Sequence, residues 1–243
     1  MANIVHIGID FSINSPSVCV ETDGRDLRWL SLFNCDGKQW QKPKPTKEFK
    51  WHNKLIGIVR LAPYIRYKAG KNTDYVAEQQ QKIKDAIVLA KHTVVQIREC
   101  IPCDDYEIAT VSLEGFAFGS KGNSFIDLIM YNSILREMLF EEFGCSVIYI
   151  VPPSQAKKLA YKGNAKKEDM IRAFIQCNDK LLQSTPLWKM LRKERNIDFD
   201  SIKPIDDLVD SYWIMKCGKI EWEKRKRMEA EMIRKYGASV KLF

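Results

Sequence analysis

The N-terminal segment 4–10, with the sequence IVHIGID, constrains the fold more than any other stretch of the chain. Nearly every position is apolar, which predicts a strand covered on both faces at the centre of a mixed sheet. The strand ends on Asp10, which we expect at the lip of the sheet, where water is scarce and electric fields are strong. A turn-forming Asp is the competing interpretation, because Asp side chains often hydrogen-bond the next loop. Partner carboxylates on later elements would favour a catalytic Asp10.

Apolar periodicity after this segment predicts an α/β domain. Strands at 17–21 and 28–33 complete a three-stranded antiparallel meander in which the first strand is central. Later strands at 108–114 and 145–151 flank a helix, which implies parallel pairing through a right-handed crossover. Helices are predicted at 76–101, 125–143, 154–160, 166–177, 179–195, 206–217 and 221–236, with Pro186 breaking the fifth.

The charge of the chain is strongly positive, at +8. Lys and Arg concentrate in residues 42–71, 157–167 and 219–235, and aromatic residues are interleaved in the first of these stretches. This pattern favours a polyanionic partner, and acids that could bind metal favour nucleic acid over a membrane surface. The first basic stretch lies in an expected insertion or long loop with a short helix at 55–61.

Other features of the sequence favour a cytoplasmic protein without a membrane span. The chain enters its first strand at once, which leaves no room for a signal peptide. No apolar stretch approaches the roughly 20 residues that a spanning helix needs. The cysteines number seven, and the close pair Cys100 and Cys103 lacks a second pair or histidines at zinc-ligand spacing. We therefore expect reduced thiols.

Carboxylates occur in three segments that this fold would bring together. Asp10 and Glu114 end strands that are expected to be neighbours, and Asp210 shares a helix face with Asp207 or Asp206. A plain N-terminal capping cluster is the alternative for the helical acids. However, the rest of that helix is largely apolar and should be buried, and it offers no nearby Arg or Lys as a partner.

Four such carboxylates would carry a charge of about −4, which two Mg²⁺ ions would balance. Two ions roughly 3.5–4 Å apart can ready an attacking water and stabilise the leaving oxygen of a phosphodiester. Histidines are not needed for this chemistry, and the three histidines show no metal-ligand spacing. We expect His6, which lies inside the first strand, to be a core residue.

The order of strands, helices and acids resembles that of the RuvC-type Holliday junction resolvases of the ribonuclease H-like superfamily. The likeness lies in short blocks that together span most of the chain. They are Ile7–Asp10, then Glu114 with Phe116, Phe118, Lys121 and Ser124, then Ser154–Lys158 with Gly163–Lys167, and finally Asp207–Ser211. The chain departs from compact family members by its longer segment before Glu114 and by an extra C-terminal helix.

The resemblance implies a ribonuclease H-like α/β fold, with a mixed five-stranded sheet of an antiparallel meander plus parallel strands, flanked by helices. The nuclease domain would span residues 1–217, with the basic insertion at about 34–75 and a basic helical extension at 218–243. Two Mg²⁺ ions, replaceable by Mn²⁺, would be held by Asp10, Glu114, Asp207 and Asp210.

The resemblance also implies residues that contact DNA. Lys167 or Lys157 would steady the developing charge at the scissile phosphate. Phe116 or Phe118 would stack on an unpaired base at the crossover. The remaining DNA-binding candidates are Lys121, Lys158 and Lys166.

The function expected from this resemblance is Mg²⁺-dependent cleavage of four-way DNA junctions. The two-fold symmetry of a junction implies a homodimer, for which helices 76–101 and 125–143 are candidate interfaces. Alternatives are another ribonuclease H-like nuclease, of the terminase or RNA–DNA hybrid type, or a non-catalytic DNA-binding module of the same fold. An actin-like sugar kinase would need a second glycine-rich phosphate loop, which the sequence lacks.

Overall fold

The computed structural model describes residues 3–35, 38–44, 46–66, 74–101, 105–116, 123–194, 197, 199 and 202–236. Its centre is a six-stranded mixed sheet in the order β4-β3-β2-β1-β5-β6. The strands are β1 (Asn3–Asp10), β2 (Ser17–Thr22), β3 (Asp26–Asn34), β4 (Arg60–Tyr64), β5 (Tyr106–Glu114) and β6 (Ile148–Val151).

The first strand occupies the centre of the sheet, as its apolar sequence predicts. It pairs antiparallel with β2, where Asp10 faces Ser17, and parallel with β5, where Ile9 faces Leu113. β6 continues the parallel half beside β5. An antiparallel meander that joins parallel strands in this order is the ribonuclease H-like arrangement, so the predicted fold class is confirmed.

The strand count is six rather than the predicted five, because the insertion after β3 contributes β4. β4 runs parallel to β3 at the edge of the sheet, where Pro63 is tolerated because edge strands can lack a backbone donor. The helix predicted at 55–61 is wrong. A helix instead spans Lys50–Lys54, and Gly57 adopts a positive φ of 76° in the turn that follows.

Helices cover both faces of the sheet. They are α1 (Lys50–Lys54), α2 (Tyr75–Cys100), α3 (Asn123–Phe143), α4 (Pro153–Ala160), α5 (Lys167–Gln176), α6 (Lys180–Ser184), α7 (Pro186–Lys193) and α8 (Ile205–Tyr236). α2 and α3 pack against one face, where Leu89 and Leu135 join Ile7 in a buried cluster. α5 and α8 pack on the other face, where Phe174 and Tyr212 are buried.

The C-terminal acids belong to one continuous helix of 32 residues rather than to the two predicted helices, 206–217 and 221–236. Gly218 does not end this helix. A side chain there would collide with Ser112 Oγ on β5, so glycine allows α8 to lie directly on the sheet. The division into a domain at 1–217 and an extension at 218–243 stays a prediction.

Smaller differences from the predicted elements have local causes. Pro186 begins α7 instead of breaking a helix, and Thr185 caps α7 by accepting the Trp188 N–H at 3.3 Å. The predicted helix at 179–195 is therefore two short helices. The predicted strand at 145–151 begins with a 3₁₀ turn, Cys145–Val147, so that β6 has only four residues.

His6 is buried and hydrogen-bonds Thr110 Oγ1 at 3.0 Å, as expected of a core residue. Across the described ranges, no helix is both long and apolar enough to cross a membrane.

Candidate active site at the carboxyl edge of the sheet

The acids singled out in the sequence lie at one edge of the sheet. Asp10 ends β1 and Glu114 ends β5, and these strands are parallel neighbours. The first two turns of α8 bring Asp207 and Asp210 to the same edge. The approach depends on Gly8, because a side chain there would collide with the backbone of Ser211 and Met215 on α8. The glycine of the first-strand motif therefore serves to seat the acidic helix against β1.

Asp10 lies at the centre of this acidic cluster. Burial raises its pKa well above the usual value, and the charges of Asp207, Asp210 and Glu114 raise it further, whereas Lys203 acts in the opposite direction. Each of these three acids is therefore close enough to destabilise an ionised Asp10. A group with these surroundings favours a proton or a bound cation.

Glu114 and Asp210 have the same character. Burial raises the pKa of Glu114, and Asp207 adds to the rise, whereas the ammonium of Lys157 opposes it. The pKa of Asp210 is raised to about 7 by burial and by the charges of Glu114, Asp207 and Asp206, with Lys167 opposing. Both carboxylates thus lie in a site with more acids than bases.

Asp207 is buried and directly bonded to two side chains. Ser15 Oγ donates to Asp207 Oδ2 at 2.6 Å, and Lys203 Nζ donates to the same oxygen at 2.6 Å and also to Oδ1. Burial and the neighbouring Asp206 nevertheless raise the pKa of Asp207. Ser15 lies in the β1–β2 loop, so this bond connects the loop after Asp10 to the start of α8.

Asp206 is also buried, and it bonds a different lysine. Its Oδ2 accepts from Lys167 Nζ at the start of α5, and Lys203 Nζ lies 3.7 Å away. Its Oδ1 is buried and finds no hydrogen-bond partner among the described residues. The helix itself supplies no nearby basic partner for these acids, as the sequence predicts. Their partners come from just before α8 and from α5 rather than from the helix itself.

The acids suit a hard divalent cation in donor type and in charge. Their carboxylate oxygens are the ligands that Mg²⁺ prefers, and a cation would relieve the repulsion that raises their pKa values. Asp206 Oδ1, which accepts no hydrogen bond from the described residues, is one oxygen that could bind a cation. In the part of the chain that the structure describes, no group of three or more His, Cys, Asp or Glu side chains is arranged to hold a metal ion as it stands. The ammonium group of Lys203 instead neutralises Asp207.

The structure describes four of the predicted DNA-contacting residues. Phe116 follows Glu114, and the Arg136 guanidinium lies 4.6 Å from the centre of its ring, so Phe116 is partly occupied within the fold. Phe118 and Lys121 lie outside the described residues. Three lysines are on the two helices beside the acids: Lys157 and Lys158 on α4, and Lys166 at the N-terminus of α5.

Three residues of the site were missed by sequence reasoning. Lys203 precedes Asp207 by four positions, a spacing that predicts an ion pair only if the helical turn begins before Ile205. Ser15 carries no sequence signal for contact with a residue 192 positions away. Gly8 is part of the first-strand motif, but its close contact with α8 follows only from the packing of the two elements.

The chain thus has a ribonuclease H-like fold with a candidate metal-binding site at the carboxyl edge of its sheet. No protein-family model matches the sequence, and no curated protein matches it.

Several solved structures are similar to the chain. A Thermus thermophilus RuvC structure has 15% identity and a TM-score of 0.43, and the match covers 92% of this chain and 96% of that one. T. thermophilus RuvC in complex with a Holliday junction substrate has 13% identity and a TM-score of 0.44, over 93% and 97%. The yeast mitochondrial Holliday junction resolvase Ydc2 has 12% identity and a TM-score of 0.46, over 97% and 84%. With identities and TM-scores this low, the case for a function depends on the site.

Proposed function

We propose that this protein is a divalent-metal-dependent endonuclease that cuts branched DNA, with the four-way junction as its substrate. The observation that carries the proposal is the cluster of Asp10, Glu114, Asp207 and Asp210, whose pKa values are all raised by burial and by neighbouring acids. An excess of buried acids beside lysines suits a site that binds cations and phosphate.

The four acids would hold two Mg²⁺ ions, for which Mn²⁺ could substitute. When bound, the ions supply an activated water and stabilisation of the leaving oxygen. The charge of Lys157 partly offsets the rise in the pKa of Glu114, and the charge of Lys167 partly offsets the rise in the pKa of Asp210. Both ammonium groups are therefore placed to attract and orient a phosphate at this edge.

The remaining surface is suited to DNA. Because the net charge is +8, we expect the affinity for DNA to fall steeply as the salt concentration rises. Lys158 and Lys166 are exposed on the helices next to the acids, where they can contact phosphates on either side of the cut. Phe118 and Lys121, which follow Glu114 in the sequence and lie outside the described residues, remain candidates for contact with the junction centre.

A homodimer would match the symmetry of a four-way junction. α2 and α3 pack together, and each exposes large apolar side chains, among them Val88 and Val95 on α2 and Ile126 on α3. We propose this surface as the dimer interface. Sedimentation equilibrium would test it: a dimer that Val88→Asp converts to monomers supports the interface. A wild-type monomer under the conditions of cleavage contradicts it.

The compartment proposed for this enzyme is the cytoplasm. Six cysteines in the described part of the chain form no disulfide, in keeping with a reducing environment.

The test of function is a cleavage panel of duplex, RNA–DNA hybrid, flap and four-way junction, with and without Mg²⁺. We expect cutting of the junction that requires the ion, and loss of cutting in Asp10→Asn with junction binding retained. Asp26→Asn, the same substitution at an exposed ion pair on β3, is the matched control and should cut normally. Preferred cutting of hybrid or duplex would assign another ribonuclease H-like nuclease. Binding without any cutting would indicate a DNA-binding module.

A further inference from the structure

A cavity of about 600 Å³ opens between α4, α5 and α8, outside the acidic cluster. Its lining is mixed in character, with aromatic, cationic and amide groups that the proposed cleavage chemistry does not use. The side chains that matter are Tyr161, Asp169, Arg172, Gln176 and Trp213. A volume of this size lies within the range of small-ligand sites and admits a single nucleotide.

The cavity is next to the proposed catalytic edge. Trp213, on its wall, follows Asp210 by three positions on α8, so the two share a side of the helix and differ by about 4.5 Å of rise. A nucleic-acid strand with one phosphate at the acids would therefore have a neighbouring nucleotide at the cavity.

Tyr161 is the most conspicuous group at the mouth. Its residue is 63% exposed, although aromatic residues are usually more buried, and Lys162 Nζ lies 5.2 Å from the centre of its ring. An exposed aromatic ring flanked by a cation is suited to stacking a base while the cation attracts the phosphate.

Three of the other lining groups suit the edge and backbone of a nucleotide, whereas Asp169 accepts the Lys166 N–H at 2.9 Å. Arg172 has a largely exposed guanidinium that is bonded only to the exposed Glu168 among the described residues, so it can turn to a phosphate or stack on a base. The Gln176 amide can both donate to and accept from a base edge. The indole N–H of Trp213 is buried and has no acceptor among the described residues.

We propose that this cavity receives one unstacked base of the cut strand, next to the scissile phosphate. This inference rests on the proposed function and extends it. Tyr161 stacks on the base, Gln176 and Trp213 contact its edge, and Arg172 contacts the adjoining phosphate. Removing a base from the stack is easiest where pairing is already disturbed, so the cavity would select branched over regular duplex DNA.

The first test locates the base by cross-linking. Four-way junctions are prepared with a single 5-iodouracil at each position within three nucleotides of the cut, and the complex is irradiated without divalent ions. Peptide mapping is expected to find the cross-link on Tyr161 or Trp213 for one or two neighbouring positions. Cross-links confined to other segments would overturn the proposal.

The second test measures affinity with a matched control. Tyr161→Ala should weaken junction binding about 10-fold or more, as expected for loss of one stacked base, whereas Tyr161→Phe should retain it. Tyr236, at the far end of α8, is 62% exposed and has Lys235 Nζ at 5.1 Å from its ring centre, so Tyr236→Ala removes an equivalent pair away from the site. Equal affinities of Tyr161→Ala and Tyr236→Ala would contradict the proposal.

The two proposals fail in different ways. Mg²⁺-dependent cutting without a cross-link in the cavity overturns the base site and leaves the nuclease. A cross-link on Tyr161 without cutting of any DNA overturns the nuclease and leaves the base site. A protein that neither cuts nor cross-links overturns both. Displacement of the DNA cross-link by a free mononucleotide at micromolar concentration would show a nucleotide site instead, and would also overturn this proposal.

Discussion

Two clusters of buried and partly buried acids contact α8, and they differ in how their charge is balanced. In the structural cluster, defined here as Glu21, Asp179, Lys216 and Lys219, two acids face two lysines. Lys219 bonds the buried Glu21, and Lys216 Nζ lies 2.9 Å from Asp179 and 3.9 Å from Glu21. The edge cluster is defined here as Asp10, Glu114, Asp206, Asp207 and Asp210. Among the described residues, the bases that bond these acids directly are Lys203 and Lys167.

The pKa values show the same contrast. Burial works to raise the pKa of Asp179, but the hydrogen bond and charge of Lys216 outweigh it and the pKa is lowered. At the edge, burial and neighbouring acids raise the pKa of Asp10, Glu114, Asp207 and Asp210 despite the lysines. The charges of the acids are thus balanced near the middle of α8 and left unbalanced at its N-terminus. We take that difference as the mark of a site that an external cation completes.

The largest effect is expected from breaking the edge cluster. Asp10→Asn should lower the rate of junction cleavage by at least about 10³-fold, because it removes the carboxylate on which the charges of Asp207, Asp210 and Glu114 all act. Glu21→Gln, the same kind of change in the structural cluster, should cut at the normal rate when folded. Single-turnover cleavage with excess protein measures both. Similar rates for Asp10→Asn and the wild type would contradict the proposed role of the edge.

The next largest effect concerns stability and belongs to the structural cluster. Lys219→Met should lower the free energy of unfolding by about 3 kcal/mol, because it leaves the buried Glu21 without its main partner. Lys224→Met removes a lysine from an exposed ion pair on the same helix and should change stability by less than about 0.5 kcal/mol. Urea unfolding followed by circular dichroism compares the two. Equal losses would mean that the structural cluster is not balanced as described.

A pH dependence follows from the raised pKa values of the edge. The pKa of Asp210 rises from its usual value of 3.8 to about 7, so the folded state binds more protons than the unfolded state between these values. Without divalent ions, the stability that Asp210 contributes should therefore be greatest near pH 4 and be lost as the pH rises to about 7. Asp210→Asn should flatten this decline.

Thermal unfolding at a series of pH values in chelating buffer is the measurement. Mg²⁺ added near pH 8 should restore the stability that the free protein loses. A metal-free protein that becomes more stable between pH 4 and pH 7 would show that the acids are compensated, like those of the structural cluster.

The smallest effect distinguishes a lysine that competes with the cation from one that assists it. Lys203→Met should tighten Mg²⁺ binding by about 3-fold to 10-fold at pH 8, because the ammonium now bonded to Asp207 would no longer oppose the ion. Lys224→Met again serves as the control and should leave the affinity unchanged. Weaker binding in Lys203→Met would mean that Lys203 positions Asp207 for the ion instead.

The sequence predicted those features that have a local pattern. The central strand, the long helices of the α2–α3 layer and the acids at strand ends are visible because apolar spacing and terminal carboxylates are properties of short segments. β4 was missed because Arg60–Tyr64 is a strand only through its pairing with β3. The predicted break in α8 failed at Gly218, which is helical because it packs on Ser112. Lys203 was missed because its partners depend on how the loop before α8 is folded.

The most direct test of the account is a calorimetric titration of the wild-type chain with Mg²⁺ and with Mn²⁺ at pH 8, without DNA. The account predicts binding of two ions per chain that Asp10→Asn reduces or abolishes and that Glu21→Gln leaves intact. No binding by the wild-type chain, or equal binding by the wild type and Asp10→Asn, would contradict the claim that the unbalanced acids at the sheet edge form a cation site.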